Sequence, residues 1–534
     1  MKHTIHILTV SILSLLFLLS SCSDSWLQTA PTDSTDTSDM FASVENAKQA
    51  LNGICKLMSR QHARYGQGFN GEGTIMMMYG EYMGRDFQFP EFAPGWAPII
   101  NGLYTQRSDT QYDDYPWYYY YMIIGNANTY LENIDNAAGD EQVRLFLKAE
   151  ALTFRAYAYL MLVQFYADSW ADSNNGAADG VVLRLNSSMD GEKISSLSAC
   201  YERIYKDLDD AIELYKKADL KRSDVFDSSA ACFPDIYVAY AVYARAALTK
   251  EDYQTALEKA RLAEEGSSLM SVADYRAGFV APSSEWIWGS YNDPTEQLYY
   301  WSWQVTMAYN GYYADAEGGT VASRELIDAV PATDIRKGLF VYKETFCDNG
   351  DVNDLILTTG YGNFSNTDAG KAAQKKANAY AQSVCAYKPA TVIYPYTNLK
   401  FACTALPGVG CVPFIRTSEM LLIEAEALCR LNNDSEAQKV LLALNRDSGR
   451  DAAYACTKTG ADLLEEVKFY RRLELWGEGR SWFDQKRWGG TFRRNGFDEG
   501  GNFHASITGT FGDVNTFWKW AIPKRESDYN DQMK

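Results

Sequence analysis

With 534 residues, 46% of them hydrophobic, the chain has enough apolar surface for a large core, built as two to four domains or as one interleaved body. Its 69 acidic against 50 basic residues give a net charge of −19, which argues against nucleic acid as a partner, because attraction to phosphate dominates that kind of affinity. Ten cysteines without a Cys-x-x-Cys spacing, and only His62 and His504 beyond the leader, argue against a zinc site, and no metal or cofactor is expected.

In chain order, the first element is an apolar run from Ile5 to Leu19 behind Lys2, the length of a signal-peptide core and short for a bilayer span. It ends in Leu19-Ser20-Ser21-Cys22, an aliphatic residue, two small ones and a cysteine. That is the pattern of a bacterial lipobox: small side chains admit the peptidase, and the Cys22 thiol carries the lipid. Residues 1–21 therefore read as a lipoprotein signal peptide and residues 22–45, polar and acidic, as a lipidated tether.

Helical periodicity governs the next part. Leu147–Tyr166 and Ser198–Lys217 each place apolar residues at three- and four-residue steps. Tyr237–Glu265, with a turn at Lys250-Glu251-Asp252, and Glu419–Leu444, with a turn at Asn432-Asn433-Asp434, read as helical hairpins of tetratricopeptide type. The aromatic run Tyr115–Met122 leads into a helical segment and reads as scaffold. Residues 60–118, 266–320 and 341–415 have no sustained period and are rich in Gly, Asn, Asp and aromatics, the composition of functional loops. Within them, Asp348–Asp354 lacks calcium-loop spacing and reads as a solvated acidic loop. Cys403 and Cys411 flank a short loop, either as a disulfide or as two small buried hydrophobes. The body divides at residue 265, with a helical region over 46–265 and a second region over 266–534.

The densest segment is Phe469-Tyr-Arg-Arg-Leu-Glu-Leu-Trp-Gly-Glu-Gly-Arg-Ser-Trp-Phe-Asp-Gln-Lys-Arg-Trp488. Phe469, Leu473 and Trp476 fall on one helix face, Gly477 and Gly479 mark its end, and its five basic groups face Glu474, Glu478 and Asp484, the pattern of an ion-paired packing seam. This segment resembles the C-terminal signature of the SusD/RagB family of outer-membrane nutrient-binding lipoproteins. Ala47–Ile54, Gly80–Asp86, Lys148–Asp168, Ile415–Ala427 and Trp520–Pro523 resemble further landmarks of that family, in the same order.

The resemblance implies a mostly α-helical fold, with tetratricopeptide-like hairpins packed against a loop-rich half with few short strands. It implies a non-catalytic, lipid-anchored protein of the outer membrane, facing the cell surface. Such a protein binds a glycan and delivers it to a SusC-like TonB-dependent transporter. A peptide or other nutrient as ligand, and a surface glycoside hydrolase, are the alternatives. Sugar rings rest their C–H faces on aromatic rings and bond their hydroxyls to amide, carboxylate or guanidinium groups. On those grounds the expected ligand contacts are Arg85, Asp86, Trp96, Tyr291, Asn292, Trp301 and Trp303; of Trp286 and Trp288, which alternate as in a strand, at least one is expected in the core.

Overall fold

A computed structural model describes residues 37–66, 68–90, 93–226, 231–291, 302–317, 319–347, 367–385, 393–514 and 516–533. Cys22, Asn292, Trp301 and the Asp348–Asp354 loop lie outside the described residues. The principal helices are α1 (Val44–Leu57), α2 (Gln111–Asn133), α3 (Glu141–Tyr166), α4 (Leu197–Ala218), α5 (Ile236–Thr249), α6 (Tyr253–Glu264), α7 (Asp368–Val384), α8 (Thr417–Arg430), α9 (Asp434–Leu442), α10 (Gly460–Glu474) and α11 (Ser481–Trp488). The strands are short: β1 (Phe87–Gln88), β2 (Asp179–Val182), β3 (Ile194–Ser196), β4 (Trp286–Gly289), β5 (Val321–Ala322), β6 (Pro413–Arg416), β7 (Phe492–Arg494) and β8 (Gly509–Phe511). They pair as antiparallel ribbons β1–β5, β2–β3, β4–β6 and β7–β8, so the fold is mostly α-helical.

Local signals start the helices. The Thr110 hydroxyl accepts from the Asp113 amide at 3.2 Å while the Asp113 carboxylate accepts from the Thr110 amide at 2.7 Å, a capping box that opens α2. Asp140, Ser196 and Asp235 cap α3, α4 and α5 through their side-chain oxygens, each contributing about 1 kcal/mol. From Phe146 to Tyr166 every residue of α3 except Lys148 is buried, so this helix forms the axis of the core. α2 and α4 pack on it; α5 packs on α4, α6 on α5, α8 on α6, and α9 and α10 on α8. The two predicted hairpins are α5–α6 and α8–α9; Glu251 and Asn432 in their turns adopt positive φ of 60° and 58°. Ala244, Ala256 and Ala260 are fully buried in the first crossing, where small side chains let the helices approach.

The packed body takes in residues that the sequence reading gave to the tether. Phe41 and Val44 fall in the segment read as tether, yet both are buried, and Phe41 meets Tyr130 edge to face at 5.3 Å. The aromatic run does serve as scaffold: Tyr119 and Tyr120 donate to the buried Glu72 carboxylate at 3.2 and 3.1 Å, and Tyr115 donates to the Gly71 carbonyl at 3.1 Å. Trp286 and Trp288 are both buried, on β4.

Charge, not only apolar surface, fills the centre of the second region. Arg416, at the β6–α8 junction, is fully buried and contacts Glu285, Glu474 at 3.2 Å and Glu478 at 2.7 Å. Arg450 bridges Glu285 at 2.9 Å and Glu474 at 3.2 Å. Arg336 joins Glu474 at 3.0 Å to Asp334 at 2.6 Å, and Lys400 contacts Glu478 at 2.7 Å. Three arginines and a lysine thus face four carboxylates, and the box is neutral. A second neutral chain lies beside it: Arg245–Glu419 at 2.6 Å, Glu419–Arg471 at 3.5 Å, Arg471–Asp484 at 2.6 Å, Asp484–Arg487 at 2.9 Å, and Arg487–Glu426. Neutrality matters because each uncompensated buried ion costs several kcal/mol.

The 469–488 segment is therefore a packing seam, but its pairing differs from the internal matching expected. Glu474 and Glu478 reach Arg336, Lys400, Arg416 and Arg450, all outside the segment, and Arg472 reaches Asp86. The buried Lys486 ammonium donates to the carbonyls of Gln164 and Ala167, both at 2.6 Å, and so closes the C-terminal end of α3. Trp476 lies past the end of α10, and Phe469 is only half-buried, so the apolar face of α10 is Leu463, Val467, Tyr470 and Leu473.

Two outcomes follow from the charge box. Arg416→Ala strands Glu285, Glu474 and Glu478 without their shared cation and should destabilise the protein by about 3–5 kcal/mol, read as a lower urea midpoint; an unchanged midpoint refutes the role given to the box. Burial alone would raise the carboxyls of Glu419 and Glu426, but the charges of Arg245 and Arg487 outweigh it and hold both down to about 2. Folded values below the unfolded ones contribute stability that is present above about pH 4.5 and lost as pH falls toward 2. The urea midpoint should therefore drop between pH 5 and pH 3, with a shallower drop in Glu426→Gln; equal slopes for parent and variant count against it.

Candidate functional site

The loops expected to carry the site stand directly on the 469–488 segment. The 71–86 stretch reaches it through close backbone contact: a Cβ on Gly80 would lie 2.6 Å from the Gly479 carbonyl carbon. The chain here runs as a π-helix over Ile75–Glu81, fully buried. Its Glu81 carboxylate accepts from the Gly479 and Arg480 amides at 2.7 and 3.2 Å. Burial pushes that carboxyl up to about 7, against the pull of those amides.

Asp86 sits at the joint between loop and scaffold. Its carboxylate accepts from Arg472 Nε and Nη2, both at 2.7 Å, and from the Ser323 hydroxyl at 2.7 Å; its carbonyl accepts from Trp476 Nε1 at 2.8 Å. Burial would raise this carboxyl, but the Arg472 charge and its hydrogen bonds, with help from Arg85 and Ser323, hold it below the usual carboxylate range. Asp86 is thus committed to the fold and does not face solvent. Arg85 is half-buried and paired with Glu325. Trp303 is also turned inward: it is 1% exposed, donates from Nε1 to the Gly477 carbonyl at 3.1 Å and packs on Phe401 at 4.7 Å. The expectation of a ligand contact at Asp86 and at Trp303 is corrected by this burial.

Trp96 is placed differently. It lies on the short helix Ala93–Ile100, whose end is held by Arg494, donating to the Ile100 carbonyl at 3.0 Å and to the Met83 carbonyl at 2.8 Å. The ring is half-buried and meets Tyr82 edge to face at 5.8 Å; Tyr82 in turn meets Phe89 at 4.7 Å. Tyr82 is buried, and its hydroxyl has no hydrogen-bond partner among the described residues. Burial, and then the nearby Tyr313, push that phenol well above its ordinary value. Tyr82 therefore packs beneath Trp96, with Tyr313 near enough to act on its phenol.

Tyr313 belongs to a second loop. The helix Trp303–Met307 and the turn after it are laced to residues 401–411: the Tyr309 amide donates to the Phe401 carbonyl at 2.7 Å, the Asn310 amide group donates to the Cys403 carbonyl at 2.8 Å, and the Tyr312 amide donates to the Pro407 carbonyl at 3.0 Å. Cys403 and Cys411 are both buried, and the Cys403 thiol donates to the Asn310 carbonyl at 3.6 Å. Tyr312 is 41% exposed, the largest exposure of a described aromatic in this loop pair, and sequence reasoning did not single it out. The signal was its place in Tyr309–Tyr313, where four aromatic and amide residues crowd one turn. Tyr291 is half-buried just past β4, where the Ser290 amide donates to the Val412 carbonyl at 2.9 Å. Of the expected contacts, the structure brings Trp96 and Arg85 to one loop and leaves Tyr291 at the rim of the β4–β6 ribbon.

This architecture has relatives. Residues 93–246 match a family model described as starch-binding associating with outer membrane, and residues 409–534 match the SusD family model. Among solved structures, a SusD superfamily protein from Bacteroides vulgatus shares the fold with TM-score 0.70 at 20% identity, over 92% of this chain and 98% of that one. A SusD-like carbohydrate binding protein from the same organism gives TM-score 0.67 at 22% identity, over 92% and 98%. A SusD-like carbohydrate binding protein from Bacteroides fragilis gives 0.65 at 16% identity, over 93% and 100%. No curated protein sequence matches the chain. The two family models, both of SusD type, span just over half of the residues between them, and the chain belongs to the SusD/RagB family.

Proposed function

We propose that this protein is a lipid-anchored glycan-binding protein of the cell surface, without catalytic activity, that captures oligosaccharide or polysaccharide and hands it to a SusC-like TonB-dependent transporter. The observation that carries the reading is the half-buried ring of Trp96 and the exposed ring of Tyr312, each held on a short loop that is pinned to a buried scaffold. A rigid aromatic gives up little conformational entropy on binding and offers a flat face to sugar C–H bonds. Arg85, half-buried on the preceding loop and paired with Glu325, offers a guanidinium donor for ring hydroxyls. Asn292 and Trp301 remain proposed contacts, as does Tyr291. The carbohydrate-binding relatives named above and the outer-membrane association of the matched family support the ligand class and the location. The Leu19-Ser20-Ser21-Cys22 pattern supports a lipid on Cys22.

Titration of the mature body with a glycan identified by array binding tests the surface. Trp96→Ala and Tyr312→Ala should each weaken binding by about tenfold or more while leaving the urea midpoint within about 0.5 kcal/mol of parent. Parent-like affinity in both well-folded variants overturns the assignment. Hits confined to peptides replace the glycan by a peptide, and release of new reducing ends replaces the binder by a hydrolase. Cys22→Ala should move the full chain out of the outer-membrane fraction, and its retention there removes the anchor; recovery of a barrel protein with the parent, in an outer-membrane pull-down, is expected for the transporter partnership.

A further inference from the structure

We propose that Cys55 and Cys232 form a disulfide, a covalent strap between α1 and the segment that enters α5. The two residues are 177 apart in sequence, yet the Cys55 thiol donates to the Cys232 carbonyl at 3.3 Å, and both are free thiols in this structure. Both positions are rigidly supported. Cys55 lies on α1, and the Cys232 carbonyl also accepts from Trp288 Nε1 at 2.9 Å, while the carbonyl of Ala231 accepts from the Gly289 amide at 3.0 Å. Exposures of 1% and 7% shield the pair from reductants once it is joined. Cys200, by contrast, exchanges its thiol contacts with the Val181 backbone.

The step balances simply. Each thiol gives up its proton and the pair gives up two electrons; the new bond joins the two sulfurs, and the disulfide of a thiol oxidase is reduced to its dithiol. Oxidised glutathione does the same in vitro and leaves two glutathione thiols. Closing so long a loop restricts the unfolded chain, so the bond stabilises the fold. Both cysteines are buried in the folded chain, so the exchange takes place before the site is sealed. None of this depends on the ligand reading.

The test is peptide mapping of the full chain, recovered from an oxidising compartment, denatured in alkylating reagent and digested without reductant. A cross-linked peptide pair joining Cys55 to Cys232, released by dithiothreitol, is expected, and reduction should lower the parent Tm by roughly 5 °C but leave the C55S/C232S variant unmoved. If that variant does not fold, refolding the reduced parent with oxidised glutathione and mapping it decides alone. Both cysteines recovered as alkylated thiols from both preparations overturns the strap.

Discussion

The contact on which everything else rests is Arg416 buried among Glu285, Glu474 and Glu478. A guanidinium is suited to that place because it stays charged, is weakly hydrated for a cation, and presents its donors in a planar fork that several carboxylates can share. Glu285 precedes β4, Arg416 ends β6, Arg450 follows α9, Glu474 ends α10, and Arg336 and Lys400 come from irregular segments. Apolar burial is indifferent to direction and would accept many arrangements of such loops. A neutral box of four cations and four anions accepts very few, since moving one member leaves another ion unpaired in the interior. The cost in desolvation is large, and what it secures is the position of the β4–β6 ribbon relative to α10 and to the irregular segments that carry Arg336, Lys400 and Arg450.

That division explains the distribution of aromatics. Those that touch the seam, Trp303, Trp476 and Trp482, are buried and mostly spend their indole N–H on backbone carbonyls. Those one step further out, Trp96 and Tyr312, keep part of a ring face in solvent. These outer loops can vary in composition while their bases stay fixed, because they are held through their own backbone atoms: the Tyr309 amide donates to the Phe401 carbonyl, and the Met83 and Ile100 carbonyls accept from the Arg494 guanidinium.

The helices and both hairpins were legible in the sequence because their packing repeats every three or four residues, and their turns carry the polar residues that tolerate positive φ. The lineage was legible because six landmarks stood in order. The partners of the seam were not: Arg472 and Asp86 are 386 residues apart, and charge alone does not say which of 69 carboxylates a given arginine will meet. Nor was the split between Trp96 and Trp303, two indoles in similarly irregular company. Their fates diverge over a single interaction, the carbonyl of Gly477 that waits for one of them in the interior. Phe41 shows the opposite failure, where a polar neighbourhood hid one large residue that belongs to the core.

The contact between Gly80 and Gly479 has one more consequence. Two backbones touch there with no side chain between them, although the residues are 399 apart in sequence (479 − 80). The distance from the seam to the Trp96 surface is thus set by missing atoms, like a joint machined without a gasket. A single methyl group at Gly80 would act as a shim. It would lift the 80–89 loop as a unit, shifting Tyr82 and the Trp96 ring packed on it while leaving both residues unchanged.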